Sequence, residues 1–460
     1  VFKKSGATWT QVYSGGASFT LTTSEIAAGD IELGIEARDR VSPSWDGRVT
    51  LTLQVKNSSN AVVSSDAVIL RSAPPLYSTN LWVAEQYNLV NVGNGTYGNS
   101  ALRSEMQSVC SAGGFTYLEA PGGSYSNDRW LQDSSEFAVV QLPSSTGPRR
   151  VIKHDTQLAR WRPCDDFCED YHLGADFDWF ARFSSNQSSH NYGGNFEVVP
   201  PYTGKPYGRI MNGGGNGLLI GTSTSTSAHM VQAYRDFFDA AEIQTQFEIT
   251  SEWLAVGHVD EFTMFIPAPN TTRGWVCLIA SPDRAYQVLQ ATANAGQGSA
   301  TVFAGRSLGS YQTTVSAILG NSALSTLNNE VQTRIDQARS QIKAATGLTD
   351  ADFIELPVLF EDVGGNEMAA YNPGDVNLVC LPSTNNTIYL VIPDPEGPDI
   401  AGVDQWQLDI TTQLNALDTA GQPYDIRFVD VFYSYHYLLG EAHCGSNFVR
   451  TPPADDWWNK

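Results

Sequence analysis

Apolar and polar residues alternate along Ile31-Glu32-Leu33-Gly34-Ile35-Glu36-Ala37 and again along Val49-Thr50-Leu51-Thr52-Leu53-Gln54-Val55. A period of two carried by β-branched residues predicts half-buried antiparallel strands. Over residues 1–75 the chain reads as strands only, separated by Ser, Gly and Asn turns. The pattern predicts a small β-sandwich of immunoglobulin-like size over residues 1–77, without an inter-sheet disulfide because the segment has no cysteine. Ala73-Pro74-Pro75 then breaks the alternation and marks a linker.

After residue 78 the period lengthens and the pattern becomes mixed α/β. A helix is predicted from Asn99, with Leu102, Met106, Val109 and Cys110 on one face. Others are predicted over Ala228–Ala241, Asp283–Thr292 and Val403–Leu417. A long one runs over Asn321–Ala345, with Asn321 or Ser322 as N-cap and Gly347 as its stop. Between them lie short apolar strands: Trp275–Ile279, Val376–Leu381, Ile388–Ile392 and Ile426–Phe432. Strand–helix units recur at even spacing without a phosphate-cradling GxGxxG or P-loop, and Gly213-Gly214-Gly215 reads as a flexible loop. The pattern supports a modular α/β domain over residues 78–460, either a propeller or a doubly wound sheet.

Composition narrows the partners. At 460 residues the chain is too long for one small core. Forty-nine acidic residues against 27 basic give a net charge of −22, which repels nucleic acid and attracts cations or Arg-rich polypeptides. No apolar run reaches the roughly 18–20 residues that span a bilayer. The chain starts at Val1 as though already processed, and the sequons at Asn57, Asn94, Asn186, Asn270 and Asn385 point to secretion. Of the six cysteines, Cys164 and Cys168 sit four apart in a polar loop and could close a small disulfide ring. Zinc is the rival there, but no second Cys or His pair at metal spacing accompanies them. Cys110, Cys277 and Cys380 read as buried free thiols.

Candidate chemistry gathers in three stretches. Gly440-Glu441-Ala442-His443-Cys444-Gly445-Ser446-Asn447 reads as a flexible turn with a thiol at its tip and a histidine beside it. His258 and Asp260 stand two apart in an apolar, strand-like stretch, which would put imidazole and carboxylate on one face. Trp253, Leu254, Val256, Phe262 and Phe265 make that stretch look buried, and a buried Asp needs a partner. Asp133, between Trp130-Leu131 and Phe137-Ala138-Val139-Val140, is either a turn former or another such carboxylate. Two carboxylates can hold a planar guanidinium by paired charged hydrogen bonds, while a thiolate attacks its carbon and a histidine moves protons.

Asn127-Asp128-Arg129-Trp130-Leu131-Gln132-Asp133, Gly194-Asn195-Phe196-Glu197-Val198, Trp253–Phe262, Gly440–Asn447 and the closing Trp457-Trp458-Asn459 together resemble the protein-arginine deiminases, over residue 78 to the end. The resemblance implies a five-module, pseudo-fivefold α/β propeller with the site at its centre, preceded by β-sandwich structure. It implies guanidinium-binding Asp133 and Asp260, acid/base His258 and nucleophile Cys444. It also implies a Trp130 wall for the substrate stem and Arg160 as a substrate-backbone contact. It implies one calcium held by Gln132, Glu136, Glu197 and the carbonyls of Gly193 and Phe196; a second family calcium site is broken by Ser134 and Ala159. Leu438 replaces a basic residue of animal members near the site mouth. The implied reaction turns arginine residues of proteins or peptides into citrulline and ammonia. Its rivals are a deiminase of free arginine or agmatine, a cysteine peptidase or transglutaminase using Cys444 with His258, and a non-catalytic surface-binding protein.

Overall fold

The computed structural model describes the chain except residues 14–17, 36–38, 143–149, 158–160, 182–187, 307–310, 419–420, 456 and 458–460. It divides into two compact units, Val1–Ser72 and Ala73–Lys460.

In the first unit Phe2–Ser5 pairs antiparallel with Thr8–Gln11 and with Leu33–Gly34, and Arg48–Lys56 pairs antiparallel with Val62–Arg71 in a separate ribbon. The predicted strand Ile31–Ala37 shrinks to Leu33–Gly34, and its last residues lie outside the described ones. The predicted strand at Val49–Val55 forms, but it is not half-buried: Val49, Leu53, Val55, Val68 and Ile69 are all exposed. A two-stranded ribbon supplies no second layer for an alternating face to bury against. The unit is also not strands alone. Thr23–Ala27 is a short helix, because the Thr22 hydroxyl accepts from the Glu25 N–H and the Glu25 carboxylate accepts from the Thr22 N–H, a reciprocal cap.

The second unit repeats one connection in five small sheets. In each, a first strand pairs antiparallel with a second, and a third returns parallel to the second. Glu136–Leu142, Arg150–Gln157 and Phe177–Ala181 make one sheet. Phe196–Val199, Arg209–Leu218 and Gln246–Thr250 make the next. Thr263–Ala268, Gly274–Ala280 and Phe353–Leu356 follow. Val379–Pro382, Ile388–Pro393 and Tyr424–Val429 make the fourth. The fifth joins distant parts of the chain: Ser446–Arg450 is its first strand, and Ala84–Asn91 and Thr116–Pro121 are its second and third. Helical crossovers carry the chain from second to third strands, as parallel pairing requires.

Capping fixes the longer helices. Asn321 caps Ser322–Thr346 by accepting from the Leu324 N–H, and Gly347 ends it in the left-handed region, where a side chain would be strained. Asp404 caps Gln405–Asn415 through the Trp406 and Gln407 N–H groups, so that helix is shorter than the apolar period from Val403 to Leu417 suggests. The helix expected from Ala228 begins only at Gln232, because Ser225–His229 is spent as a strand against Gly214–Leu218. Trp253, Trp275 and Trp406 are fully buried, and Trp457 packs with Leu76, Phe137, Val139 and Val449; Trp458 and Asn459 lie outside the described residues. Among the described residues no helix is long and apolar enough to cross a membrane.

Gly213-Gly214-Gly215 is not a loop. It is the middle of the strand Arg209–Leu218. A β-carbon on Gly213 would overlap Ser251 Oγ and Asn195 Oδ1, and one on Gly215 would overlap the Glu252 carboxylate. The run is glycine because neighbouring side chains come up to the backbone itself. Gly213→Ala is therefore expected to destabilise the unit by about 1–3 kcal/mol, the cost of overpacking a filled core. Urea denaturation would show this as a lowered midpoint; an unchanged midpoint would mean that Ser251 and Asn195 move aside freely.

Candidate active site

The turn just before the first strand of each sheet points inward, and all five turns meet. They carry Asp133, the Gly193–Asn195 turn, His258 with Asp260, Asn377, and His443 with Cys444. The Gln132 N–H donates to the Cys444 carbonyl at 3.2 Å, and the Gly193 N–H to the Asp133 carbonyl at 3.4 Å. Asn377 pins the thiol-bearing turn. Its Oδ1 accepts from the His443 and Cys444 N–H groups at 3.1 and 3.2 Å, and its Nδ2 donates to the Asp260 carbonyl at 3.1 Å. The turn is thus buried and bonded, not a flexible tip.

His258 and Asp260 do not lie on a strand. His258 caps a single 3-10 turn, Val259–Glu261, its N–H donating to Glu261 Oε1 at 2.8 Å. The turn still brings the pair together: His258 Nδ1 is 4.0 Å from Asp260 Oδ1 and 3.8 Å from Asp133 Oδ1. His258 Nε2 sits 3.0 Å from the Ser189 carbonyl. A carbonyl can only accept, so Nε2 holds a proton and Nδ1 is the nitrogen that faces the site. A β-carbon on Gly194 would be 2.5 Å from that Nδ1. Asp260 Oδ2 accepts from His443 Nδ1 at 2.9 Å and lies 3.8 Å from Cys444 Sγ. Asp260 Oδ1 is buried and has no hydrogen-bond partner.

The electrostatics follow from burial. Burial raises the Asp133 carboxyl from 3.8 to about 6, against the pull of His258 and Arg162 and with the push of Asp260. Burial, Asp260 and Asp133 hold the Cys444 thiol well above the ordinary 9.0. His443 does not act as the cation that lowers it. Its ring turns to Asp260: burial pulls the His443 pKa down, but the hydrogen bond and charge of Asp260 together with the charge of Glu197 raise it overall.

Trp130 is half-buried, packs edge-on to Tyr435 at 5.6 Å, and lies over Gly440, where a β-carbon would overlap its ring. Leu438 sits on the exposed turn His436–Leu438 beside this wall. Arg160 and Ala159 lie outside the described residues. Among the described residues Arg162 reaches the site. It grips Asp128 through Nε (3.1 Å) and Nη2 (2.6 Å), and its Nη1 donates to Asp133 Oδ2 at 3.0 Å. Arg162 and Asn377 escape a sequence reading. Only the polar character of Asn377 in front of an apolar strand hints at the second.

Cys164 and Cys168 are free thiols rather than a disulfide ring. The first opens a 3-10 turn and points to Asp128 Oδ2 (3.2 Å), while the second begins the next turn and points to Ser135 Oγ (3.4 Å).

Beside the site, Gln132 Nε2 contacts Glu136 Oε1, and Gly193 packs so closely on Gln132 that a β-carbon would overlap its carbonyl and come within 3.1 Å of Glu136 Oε1. Glu197 stands on the next strand, one residue after Phe196, with Oε1 3.8 Å from His443 Nε2. Burial raises Glu197 from 4.5 to about 7, and burial and Glu197 push Glu136 well up. A half-buried and a buried carboxylate that repel each other, with the Gln132 side-chain amide and its backbone carbonyl close by, suit a hard divalent cation such as calcium.

A family model described as protein-arginine deiminase (PAD) matches residues 62–459. The chain belongs to the protein-arginine deiminase family. It is 32% identical over 430 residues to protein-arginine deiminase type-4 of Mus musculus, covering 90% of this chain and 60% of that one. It is 31% identical over 445 residues to type-4 of Homo sapiens, covering 94% and 63%, and 33% identical over 405 residues to human type-3, covering 86% and 57%. The chain thus spans about three-fifths of the length of these deiminases. Among solved structures, the agmatine deiminase of C. Jejuni is similar at a TM-score of 0.45 and 12% identity, covering 83% of this chain and 98% of that one.

The raised thiol makes a prediction for the chain in its resting state. Without metal or substrate, alkylation of Cys444 by a neutral reagent should be slow at neutral pH and keep rising through pH 9, since a raised pKa delays thiolate formation. Mass-spectrometric mapping of native protein gives the rate. A plateau reached below pH 8 would show that the thiolate forms despite Asp133 and Asp260.

Proposed function

We propose that the chain hydrolyses the guanidinium of arginine residues in proteins or peptides, giving citrulline and ammonia. The observation that carries this is Asp260 Oδ1, a buried carboxylate oxygen without a hydrogen-bond partner 4.0 Å from His258 Nδ1, on a carboxylate whose other oxygen lies 3.8 Å from Cys444 Sγ. A substrate guanidinium supplies the missing donors. Asp133, already gripped by a guanidinium in Arg162, takes its other side, and Trp130 lies along the methylene stem. The substrate's charge offsets both carboxylates and so brings the thiol pKa down where the carbon waits.

Sγ then adds to the guanidinium carbon as the thiol proton passes to His258 Nδ1. The C–N bond breaks, and the nitrogen takes that same proton and departs as ammonia. This leaves a covalent thiouronium. A water that gives its proton to His258 adds to the same carbon, the C–S bond breaks, and the ureido product leaves. Asn377 keeps the Cys444 turn and Asp260 in register throughout.

Gln132, Glu136, Glu197 and the carbonyls of Gly193 and Phe196 would hold one calcium. Bound there, the ion neutralises Glu136 and Glu197 and fixes the turn that carries Asp133. Five sheets of like connection, the last closed by strands far apart in sequence, support a five-module propeller around this centre. The described sequon residues Asn57, Asn94, Asn270 and Asn385 are exposed, which supports secretion; Asn186 lies outside the described residues. A separate β unit ahead of a catalytic unit remains our reading of the division of labour, with the boundary before Leu76–Tyr77, which pairs with Val139 and Ala138 in the second unit. Citrulline formation from an arginine peptide, measured beside free arginine and agmatine at equal concentration, tests the substrate class. Preference for a free amine would favour the small-molecule rival.

Cys444→Ala should abolish turnover and leave peptide binding largely intact, because the thiol acts in the covalent step. Asp133→Asn or Asp260→Asn should lower kcat/KM about 100-fold or more, since each strands a charge in a dry site. Citrulline made by Cys444→Ala would sink the mechanism.

Calcium affinity should rise with pH. Glu197 is protonated in the metal-free cage up to about 7 and must ionise to bind. By the same sign, the metal-free fold loses stability as pH rises from 4.5 through about 7. Calorimetry in two buffers of different ionisation heat would show proton release below pH 7; equal heats would mean that the cage is already ionised.

A further inference from the structure

We propose that Asp155, Cys168 and His172 form a second metal site, one that takes a zinc-class divalent ion and holds the Asp133 turn from behind. Asp155 lies in the strand Arg150–Gln157, and Cys168 and His172 open and close one wide helical turn, which puts thiol and imidazole on the same side. A carboxylate oxygen, the sulfur and a ring nitrogen lie within 4.8 Å of one another. His172 Nδ1 is 2.6 Å from Asp155 Oδ2. Asp155 is fully buried, yet its Oδ1 has no hydrogen-bond partner. The Cys168 thiol leans on the same carboxylate, so thiol, imidazole and carboxylate converge on one point, and a buried carboxylate oxygen with no well-aligned donor is a costly state. An ion placed between Oδ1, Sγ and Nδ1 satisfies it.

The donor set chooses the ion. Thiolate and imidazole suit zinc, with bonds of roughly 2.0–2.3 Å, whereas calcium and magnesium take oxygens. The site is therefore chemically distinct from the oxygen cage of Glu136 and Glu197. Three protein ligands leave a fourth position for water, the coordination of an open zinc site, here enclosed by the burial of Asp155 and Cys168. On binding, Cys168 loses its proton and the ion takes the sulfur lone pair; no other bond changes. His172 Nε2 rests 3.4 Å from Gln86 Nε2; with an ion on Nδ1 the Nε2–H needs an acceptor, which the Gln86 amide would supply by turning its oxygen to the ring.

The link to the active site is short. Cys168 Sγ contacts Ser135 Oγ at 3.4 Å, and the Ser135 carbonyl accepts from Asn447 Nδ2 at 2.8 Å. Ser135 follows Asp133 by two residues, and Asn447 follows Cys444 by three. An ion on Cys168 thus anchors the two turns that carry clamp and nucleophile.

The test uses the full chain purified without chelators. Elemental analysis should find one zinc per chain. After stripping, cobalt(II) titration should give a sulfur-to-metal charge-transfer band in the near ultraviolet. The band should persist in Cys444→Ser, vanish in Cys168→Ser, and need about 10–100-fold more cobalt in Gln86→Leu. Zinc should raise the melting temperature of the wild type but not of Cys168→Ser, with calcium binding kept as evidence that the variant is folded. Should Cys168→Ser fail to fold, the wild-type and Cys444→Ser titrations still decide. A stripped wild type that gives no cobalt–thiolate band, or a band lost in Cys444→Ser, overturns the proposal.

Discussion

Negative charge is packed into the centre of the second unit faster than fixed cations can balance it. Asp133, Asp260, Glu136 and Glu197 meet where five turns converge, and burial there holds Asp133, Glu136 and Glu197 away from their ordinary ionisation. The described surroundings are arranged around that imbalance. Arg162 braces Asp133, His443 braces one oxygen of Asp260, and Asn377 spends its whole amide on holding backbone in place. What remains unmatched is what the proposed ligands would fill, a planar cation at the clamp and a hard ion at the cage. The same deficit explains why the thiol rests protonated, since a thiolate would add a further negative charge to a centre that cannot bear it.

The parts of the fold that could be read in advance are those with local causes. Ser322–Thr346 is announced by Asn321 and Gly347 because a cap and a left-handed stop act within one turn of the helix. The helix at Ser100–Gly113 and the apolar strands at Gly274–Ala280 and Ile388–Pro393 are likewise written in their own periods. Misreadings came where a distant neighbour decides. Gly213–Gly215 looks like slack until Ser251, Asn195 and Glu252 arrive at the backbone. The ribbon at Val49–Val55 alternates like a buried strand but meets no second layer.

The chemistry was more legible than its geometry. His258 and Asp260 were named as partners on a strand face and are partners across a 3-10 turn. Cys164 and Cys168 were read as a pair, yet their sulfurs serve different neighbours because two consecutive turns rotate them apart. Arg162 and Asn377 carry no local mark, for an arginine two residues past a candidate and an asparagine before a strand are ordinary in any sequence. Their importance comes from what lies opposite them.

The fifth sheet has a consequence for how the protein comes into being. Tyr87 and Ser446, hydrogen-bonded at 2.9 Å, are 359 positions apart in the chain. The sheet begun by Ala84–Asn91 cannot be finished, nor Cys444 set in place, until almost the whole of the second unit has left the ribosome. Such distant pairing makes for slow final assembly. It also means that a nascent chain holds its substrate clamp for a time without a nucleophile. Until that last strand is made, the proposed chemistry is withheld by the order of synthesis.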